Sequence, residues 1–188
     1  MAKIGENPIA LFDDAISRRR RVLILPRYLN EAAEEQYHRD FGDDFDKAHA
    51  IVKKWADLET KGQLCKKEVS LDANFLNDVF GNALRYTTVE NSSGSYLIDR
   101  QMHVPGVGSA DGAIGSFPLT DVNAPNPVAV IELKGTECDL DTDKSNGRTA
   151  VQQLFDYLNA LPETNWGIVS NFKTLRLYHK SRGTQAYE

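Results

Sequence analysis

The stretch Pro127-Val-Ala-Val-Ile-Glu-Leu-Lys134 decides the fold of this chain. Its β-branched residues are typical of a strand: Val128, Val130 and Ile131. Side chains in a strand alternate between its two faces, so Glu132 and Lys134 are predicted to project from the same face. Because a buried charge without a partner is costly, an acid and a base on one face of an apolar strand indicate that something binds there.

The segments around this strand predict an α/β (α+β) fold with a central mixed β-sheet flanked by helices. Further strands are predicted at residues 96–102, around Asp111, at 167–171 and at 174–178, and amphipathic helices at 70–80 and 150–161. Short connections between the first three strands predict an antiparallel meander. The helix at 150–161 then predicts a crossover to the fourth strand.

The first third of the chain predicts an N-terminal helical extension, residues 1–62, ahead of a domain at 63–188. Its candidate helices are residues 10–21, 30–39 and 45–59, separated by Pro26 and by Gly42. A length of 188 residues suits one domain with such an extension.

Two carboxylates from neighbouring strands suggest a metal site. Asp111 precedes the short predicted strand Gly-Ala-Ile-Gly, and Glu132 lies on the next strand along the chain. Carboxylates brought together repel each other, and Mg²⁺ relieves that repulsion because it favours one or two carboxylates plus water and phosphate oxygens. Lys134 is then placed to orient or help deprotonate an attacking water and to stabilise charge that develops on phosphorus.

The pattern Asp111…Glu132-Leu133-Lys134 resembles the PD-(D/E)xK nuclease superfamily, in which an Asp on one strand and Glu-x-Lys on the next precede a helix. Ala110 stands where that motif has proline. On the following helix, Gln153 and Tyr157 are similar to the Gln-x-x-x-Tyr element of many restriction nucleases.

More narrowly, the chain resembles the N-terminal endonuclease region of type IIG restriction–modification enzymes. The similar segments span about residues 68–178: they are 75–80, 111–115, 131–135, 153–157 and 166–178. This resemblance implies a restriction-endonuclease-like core in a fragment of a longer polypeptide. It also implies methyltransferase and target-recognition domains in the same polypeptide or complex, and a transient dimer for double-strand cleavage.

The implied activity is a Mg²⁺-dependent endodeoxyribonuclease that hydrolyses phosphodiester bonds of double-stranded DNA, with Mn²⁺ as a substitute for Mg²⁺. Asp111 and Glu132 would hold the metal ion, and Lys134 and Gln153 would complete the catalytic set. In this superfamily the first core helix often supplies a further acid near the metal. Glu68 matches that position best, and Asp72 is the second possibility.

Other interpretations stay open. Asp111 also suits a turn before Gly112, and Glu132 with Lys134 also suits a solvated pair on an edge strand. A repair or recombination nuclease with the same core is an alternative, as is a catalytically inert DNA-binding or assembly module. The net charge of −5 argues against strong autonomous binding to DNA, whose affinity depends on neutralised phosphates.

The two cysteines and the N-terminus bear on the compartment. Cys65 and Cys138 fit neither a disulfide framework nor a zinc site, which favours free thiols in the cytosol. The N-terminus lacks the apolar run of a signal peptide, and the apolar stretch at residues 22–25 is far too short to cross a bilayer. A cytoplasmic protein without membrane contact is therefore predicted.

Overall fold

A five-stranded mixed sheet forms the centre of the computed structural model, which describes residues 22–36, 39, 41–64, 68–121 and 124–188. The strands are β1 (Ser95–Val104), β2 (Gly108–Pro118), β3 (Asn126–Leu133), β4 (Trp166–Ser170) and β5 (Leu175–His179), in that spatial order. Strands β1, β2 and β3 are antiparallel, β4 runs parallel to β3, and β5 is antiparallel to β4. The predicted mixed sheet, with its meander and its crossover, is confirmed.

The described helices lie before the sheet and within the crossover. They are α1 (Pro26–Gln36), α2 (Phe45–Thr60), α3 (Glu68–Phe75), which continues as a π-helix (Leu76–Ala83), and α4 (Ala150–Ala160), with short 3₁₀ turns at Gly42–Asp44, Val89–Asn91 and Lys180–Arg182. The helix predicted at 10–21 lies outside the described residues. The helix predicted at 30–39 begins earlier, at Pro26, because proline fits the first turn, where its missing N–H is not needed.

Strand β3 separates two apolar cores. Val130 faces a cluster that includes Leu154 and Leu158 of α4, which we call the α4-side core. Ile131 belongs to a second cluster, which includes Trp55 and Leu76 and is called here the α2/α3-side core. Because faces alternate along a strand, Glu132 shares the α4 side with Val130.

The position of α4 over the sheet is fixed at both its start and its middle. A capping box begins the helix: the Thr149 hydroxyl accepts from the Gln152 amide at 3.2 Å, and the Gln152 side chain accepts from the Thr149 amide at 2.9 Å. Above β4, a Cβ on Gly167 would lie 2.7 Å from the Leu154 side chain. The glycine therefore allows α4 to approach the sheet closely.

Helix α2 packs directly on the sheet domain through Trp55, which is 4% exposed. Its ring lies 5.0 Å from that of Phe75 and 6.0 Å from that of Phe172, between ring centroids. The indole N–H donates to an Asp78 carboxylate oxygen at 3.1 Å. The end of the predicted extension is thus part of the α2/α3-side core, and a domain boundary at 62/63 stays a prediction.

The last residues of the chain run beside β5. The Leu177 amide donates to the Glu188 carbonyl at 2.6 Å, and the Glu188 amide donates to the Leu177 carbonyl at 3.0 Å. The Glu188 carboxylate in turn accepts from the amide of Leu23 at 2.8 Å. Within the described ranges, no helix combines the length and the apolar character that crossing a membrane requires.

Candidate active site

Pairing of β2 with β3 brings the two predicted carboxylates to the same level. Gly112 is opposite Ile131, so Asp111 and Glu132 directly follow one cross-strand pair, Asp111 on the N-terminal side of Gly112 and Glu132 on the C-terminal side of Ile131. An Asp111 carboxylate oxygen accepts from the backbone amide of Leu133 at 2.7 Å. This bond fixes the Asp111 side chain beside the end of β3.

Glu132 and Lys134 form a close, largely buried ion pair. The Lys134 Nζ atom lies 2.5 Å from Glu132 Oε1, and the two side chains are 18% and 1% exposed, respectively. The Lys134 backbone amide donates to the Ser170 carbonyl at 2.8 Å, so the parallel pairing with β4 continues past the end of β3. Lys134 is therefore held in place by an ion pair of its side chain and by a hydrogen bond of its backbone.

Helix α4 supplies the next residues of the site. Gln153 Oε1 accepts from Lys134 Nζ at 3.4 Å, and Gln153 Nε2 donates to the Tyr157 hydroxyl at 2.7 Å. Tyr157, which is buried, donates in turn to the Ser109 carbonyl at 2.9 Å. This chain of hydrogen bonds joins β3, α4 and β2, and it fixes which end of the Gln153 amide faces the lysine.

The electrostatics of the site centre on Glu132. Burial raises its pKa from 4.5 to about 7, with a further contribution from the Asp111 charge, and Lys134 and the Tyr157 hydroxyl offset part of this rise. Burial also raises the pKa of Tyr157, as do the nearby charges of Glu132 and Asp111. One carboxylate oxygen, Glu132 Oε2, is buried without a hydrogen-bond partner among the described residues.

These features fit a hard divalent cation. A buried carboxylate oxygen without a hydrogen-bond partner, beside a second carboxylate, has acceptor capacity that a cation would satisfy. Mg²⁺ needs only one or two protein carboxylates, since water supplies its remaining ligands. Within the described part of the chain, no group of three His, Cys, Asp or Glu side chains could hold a metal ion, so Asp111 and Glu132 stand as a pair.

Comparison of the chain with protein-family models, with curated proteins and with solved structures found no match. The resemblance to the PD-(D/E)xK superfamily therefore stays a prediction, and the geometry of the site has to support any function by itself.

The additional acid predicted on the first core helix is placed only in part. The side chain of Glu68 lies outside the described part of the structure. Asp72, the second possibility, lines a cleft of about 340 Å³ together with Asp111. Of the two acids, Asp72 is the one that the described structure places in a common cleft with Asp111.

Two further residues of this cleft, Arg100 and Gln101, were not anticipated from the sequence. Strand β1 pairs with β2 so that Val104 is opposite Gly108 and Arg100 is opposite Gly112. Counting back across the turn at residues 105–107 places Gln101 opposite Asp111. The sequence held this signal, because a short hairpin turn fixes the register of both of its strands.

Proposed function

We propose that this chain is a metal-dependent endodeoxyribonuclease domain of a restriction–modification system, with a restriction-endonuclease-like core, that hydrolyses phosphodiester bonds of double-stranded DNA. The observation that carries the proposal is the group at the end of β3: Asp111 bonded to the Leu133 amide, next to Glu132, with Lys134 bonded to Glu132 and to Gln153. The same residues carry the resemblance to the PD-(D/E)xK nucleases.

Asp111 and Glu132 would hold Mg²⁺, or Mn²⁺ in its place. When bound, such an ion supplies Lewis-acid activation of the phosphoryl group and a template for in-line attack. The ionised form of Glu132 is the one that binds a cation. Because the pKa of Glu132 is about 7 without metal, binding at or below neutral pH is expected to release a proton.

Lys134 is the residue that would act on the attacking water. Its ammonium donates to Glu132 and to Gln153, so its direction is fixed before any substrate arrives. A cation held in this way can orient water and stabilise negative charge developing on the phosphoryl oxygens. Gln153 is then a positioning residue, because Tyr157 and Ser109 in turn hold its amide.

The net charge of −5 shapes the remainder of the proposal. An acidic domain gains little affinity from the phosphate backbone. We therefore assign DNA delivery to methyltransferase and target-recognition domains of the same polypeptide or complex, in the cytoplasm. Cutting both strands with one site per chain would require a second copy, so a transient dimer belongs to the proposal.

The test is nicking of supercoiled plasmid DNA with Mg²⁺ or Mn²⁺. Asp111→Asn removes the charge but keeps an oxygen that can accept from the Leu133 amide, so we expect a folded protein without nicking activity. The matched control is Asp121→Asn, because Asp121 follows the other end of β2 and is exposed. Nicking by Asp111→Asn at the wild-type rate would contradict the proposal.

One observation favours a second candidate, a catalytically inert assembly module. That observation is the acidic charge of the chain, which is unfavourable for DNA binding; in such a module the Glu132–Lys134 ion pair is purely structural. Calorimetry with Mn²⁺ separates the two candidates without requiring turnover. Binding that is lost in Asp111→Asn supports the nuclease, whereas no binding by the wild-type protein, with or without DNA, would favour the inert module.

A further inference from the structure

Gln101 has an unusual backbone for a residue inside a strand. Its φ is 58°, in the left-handed region that a residue with a Cβ enters at a cost of about 1 kcal/mol. It lies within β1 and opposite Asp111 in the register that pairs Arg100 with Gly112 and Met102 with Ala110. Strained residues of this kind concentrate at functional sites.

At Gln101, the left-handed backbone reverses the face of the sheet toward which the following side chains of β1 point. Ile98 belongs to the α2/α3-side core, whereas Met102 and Val104 belong to the α4-side core. Residues an even number of positions apart normally share one face, so the exchange takes place between Ile98 and Met102. At this point Arg100 and Gln101 are both exposed, and both line the cleft that Asp111 borders.

The cleft combines acids with hydrogen-bond donors. Its described lining consists of two carboxylates, one guanidinium, one amide and two apolar side chains, namely Asp72, Asp111, Arg100, Gln101, Ala73 and Leu76. A guanidinium and an amide both donate hydrogen bonds to phosphate oxygens. Donors beside the proposed metal ligand therefore suit a neighbouring phosphate of the same DNA strand.

Two other arginines of the described structure are held more closely by acids than Arg100 is. Arg176 binds Asp141 with two bonds of 2.8 and 3.0 Å, and Arg148 lies 2.8 Å from Asp156. Arg100 lies 3.5 Å from Glu90, and its side chain is 41% exposed. A phosphate would therefore displace a weaker ion pair at Arg100 than at either of the other two arginines.

We propose that Arg100 and Gln101 form a subsite for a backbone phosphate of the DNA strand, next to the phosphate that is cleaved. The inference rests on the proposed nuclease function and extends it. The two residues are positioning residues: they bind the strand and place it beside Asp111 without taking part in the chemical step.

The experiment measures binding and chemistry separately. Dissociation constants are measured by fluorescence anisotropy with a labelled DNA duplex and Ca²⁺, and cleavage rates by single-turnover assays with Mg²⁺ at saturating protein. Arg100→Ala should weaken binding about tenfold, as expected for the loss of one charge-assisted hydrogen bond. It should also reduce the slope of log K against log salt by about 0.9, which corresponds to one lost phosphate contact.

Gln101→Gly removes the side-chain amide of Gln101 while the backbone can keep its conformation. Glycine adopts a φ of 58° without strain, so the variant should melt at or above the wild-type temperature while it binds DNA several-fold more weakly. Its salt slope should equal that of the wild type, because no charge is lost. Arg182→Ala is the charge-matched control, since Arg182 follows the end of β5 that pairs with Trp166, away from Lys134.

The outcomes distinguish the subsite from the nuclease function. Weaker binding by both variants, with cleavage rates within twofold of the wild type at saturation, supports the subsite. Wild-type cleavage with unchanged dissociation constants in both variants would overturn the subsite and leave the nuclease proposal intact. A wild-type protein that binds the duplex but does not cut it with Mg²⁺ or Mn²⁺ would overturn both.

Discussion

The raised pKa of Glu132 predicts how the stability of the metal-free protein depends on pH. Folding raises this pKa from 4.5 to about 7, so between these two values the native state keeps a proton that the unfolded chain has released. Raising the pH through this window therefore costs stability. Each pH unit within it is worth about 1.4 kcal/mol, so the free energy of unfolding should fall by about 3 kcal/mol in total.

Glu132→Gln isolates this contribution, because glutamine does not titrate but can still accept a hydrogen bond from Lys134. Urea unfolding of the wild type and of Glu132→Gln, in EDTA at pH 4.5, 6, 7 and 8, measures the contribution of Glu132 to the free energy of unfolding. We expect the wild type to lose about 3 kcal/mol relative to the variant across this range. Adding Mg²⁺ at pH 8 should recover part of the loss in the wild type only, since the cation binds the ionised carboxylate. Parallel stability curves for the two proteins would refute the reasoning.

Three further predictions concern the site and the core. Lys134→Ala should slow plasmid nicking by a factor of about 10² or more. Circular dichroism should show a folded protein, because Glu132 can take up a proton once its partner is gone. Nicking at the wild-type rate would exclude a catalytic role for Lys134. Gly115→Ala should lower the melting temperature strongly, since its Cβ would lie 2.2 Å from the carbonyl oxygen of Asn126. Gly135→Ala, with nothing within 4 Å of its Cβ, is the control, and equal melting temperatures would contradict the packing. Trp55→Ala should cost about 3–5 kcal/mol in urea unfolding if α2 belongs to the core, whereas a loss below about 1 kcal/mol would support a separable extension.

Much of the sheet was predictable because its signals are local. The apolar, β-branched composition of β3 reflects burial on both faces, and the period of two places Glu132 and Lys134 together. The start of α4 was also predictable, since its apolar stripe begins at Ala150. In the structure the helix begins at this residue, directly after the Thr149 cap. The positions of these strands and of this helix are confirmed, whereas the roles of the site residues stay predictions.

The errors arose where pairing between distant residues decides the structure. The short strand Gly-Ala-Ile-Gly predicted after Asp111 is much longer in the structure, where β2 runs from Gly108 to Pro118 and includes Asp111. Small residues give β2 little intrinsic strand propensity, and its two neighbours hold it in the sheet. The helix predicted at 70–80 also extends further at both ends, since it begins at Glu68 and continues in π form to Ala83.

The left-handed Gln101 was not predictable from residue type. Glycine and asparagine are the usual residues at such a φ, and glutamine gives no local signal of it. The conformation is needed because β1 buries Ile98 on one face of the sheet and Met102 on the other. These two burial sites become apparent only in the tertiary structure.

The backbone bonds between Leu177 and Glu188 bear on how two copies of the chain could assemble. An outermost strand normally offers its free amides and carbonyls to a strand from another molecule, which leads to continuous intermolecular sheets. In the middle of β5 these groups are already bonded to Glu188 of the same chain. A dimer that extends the sheet across Leu177 would first have to displace Glu188, so the transient dimer that we propose is expected to use a different surface.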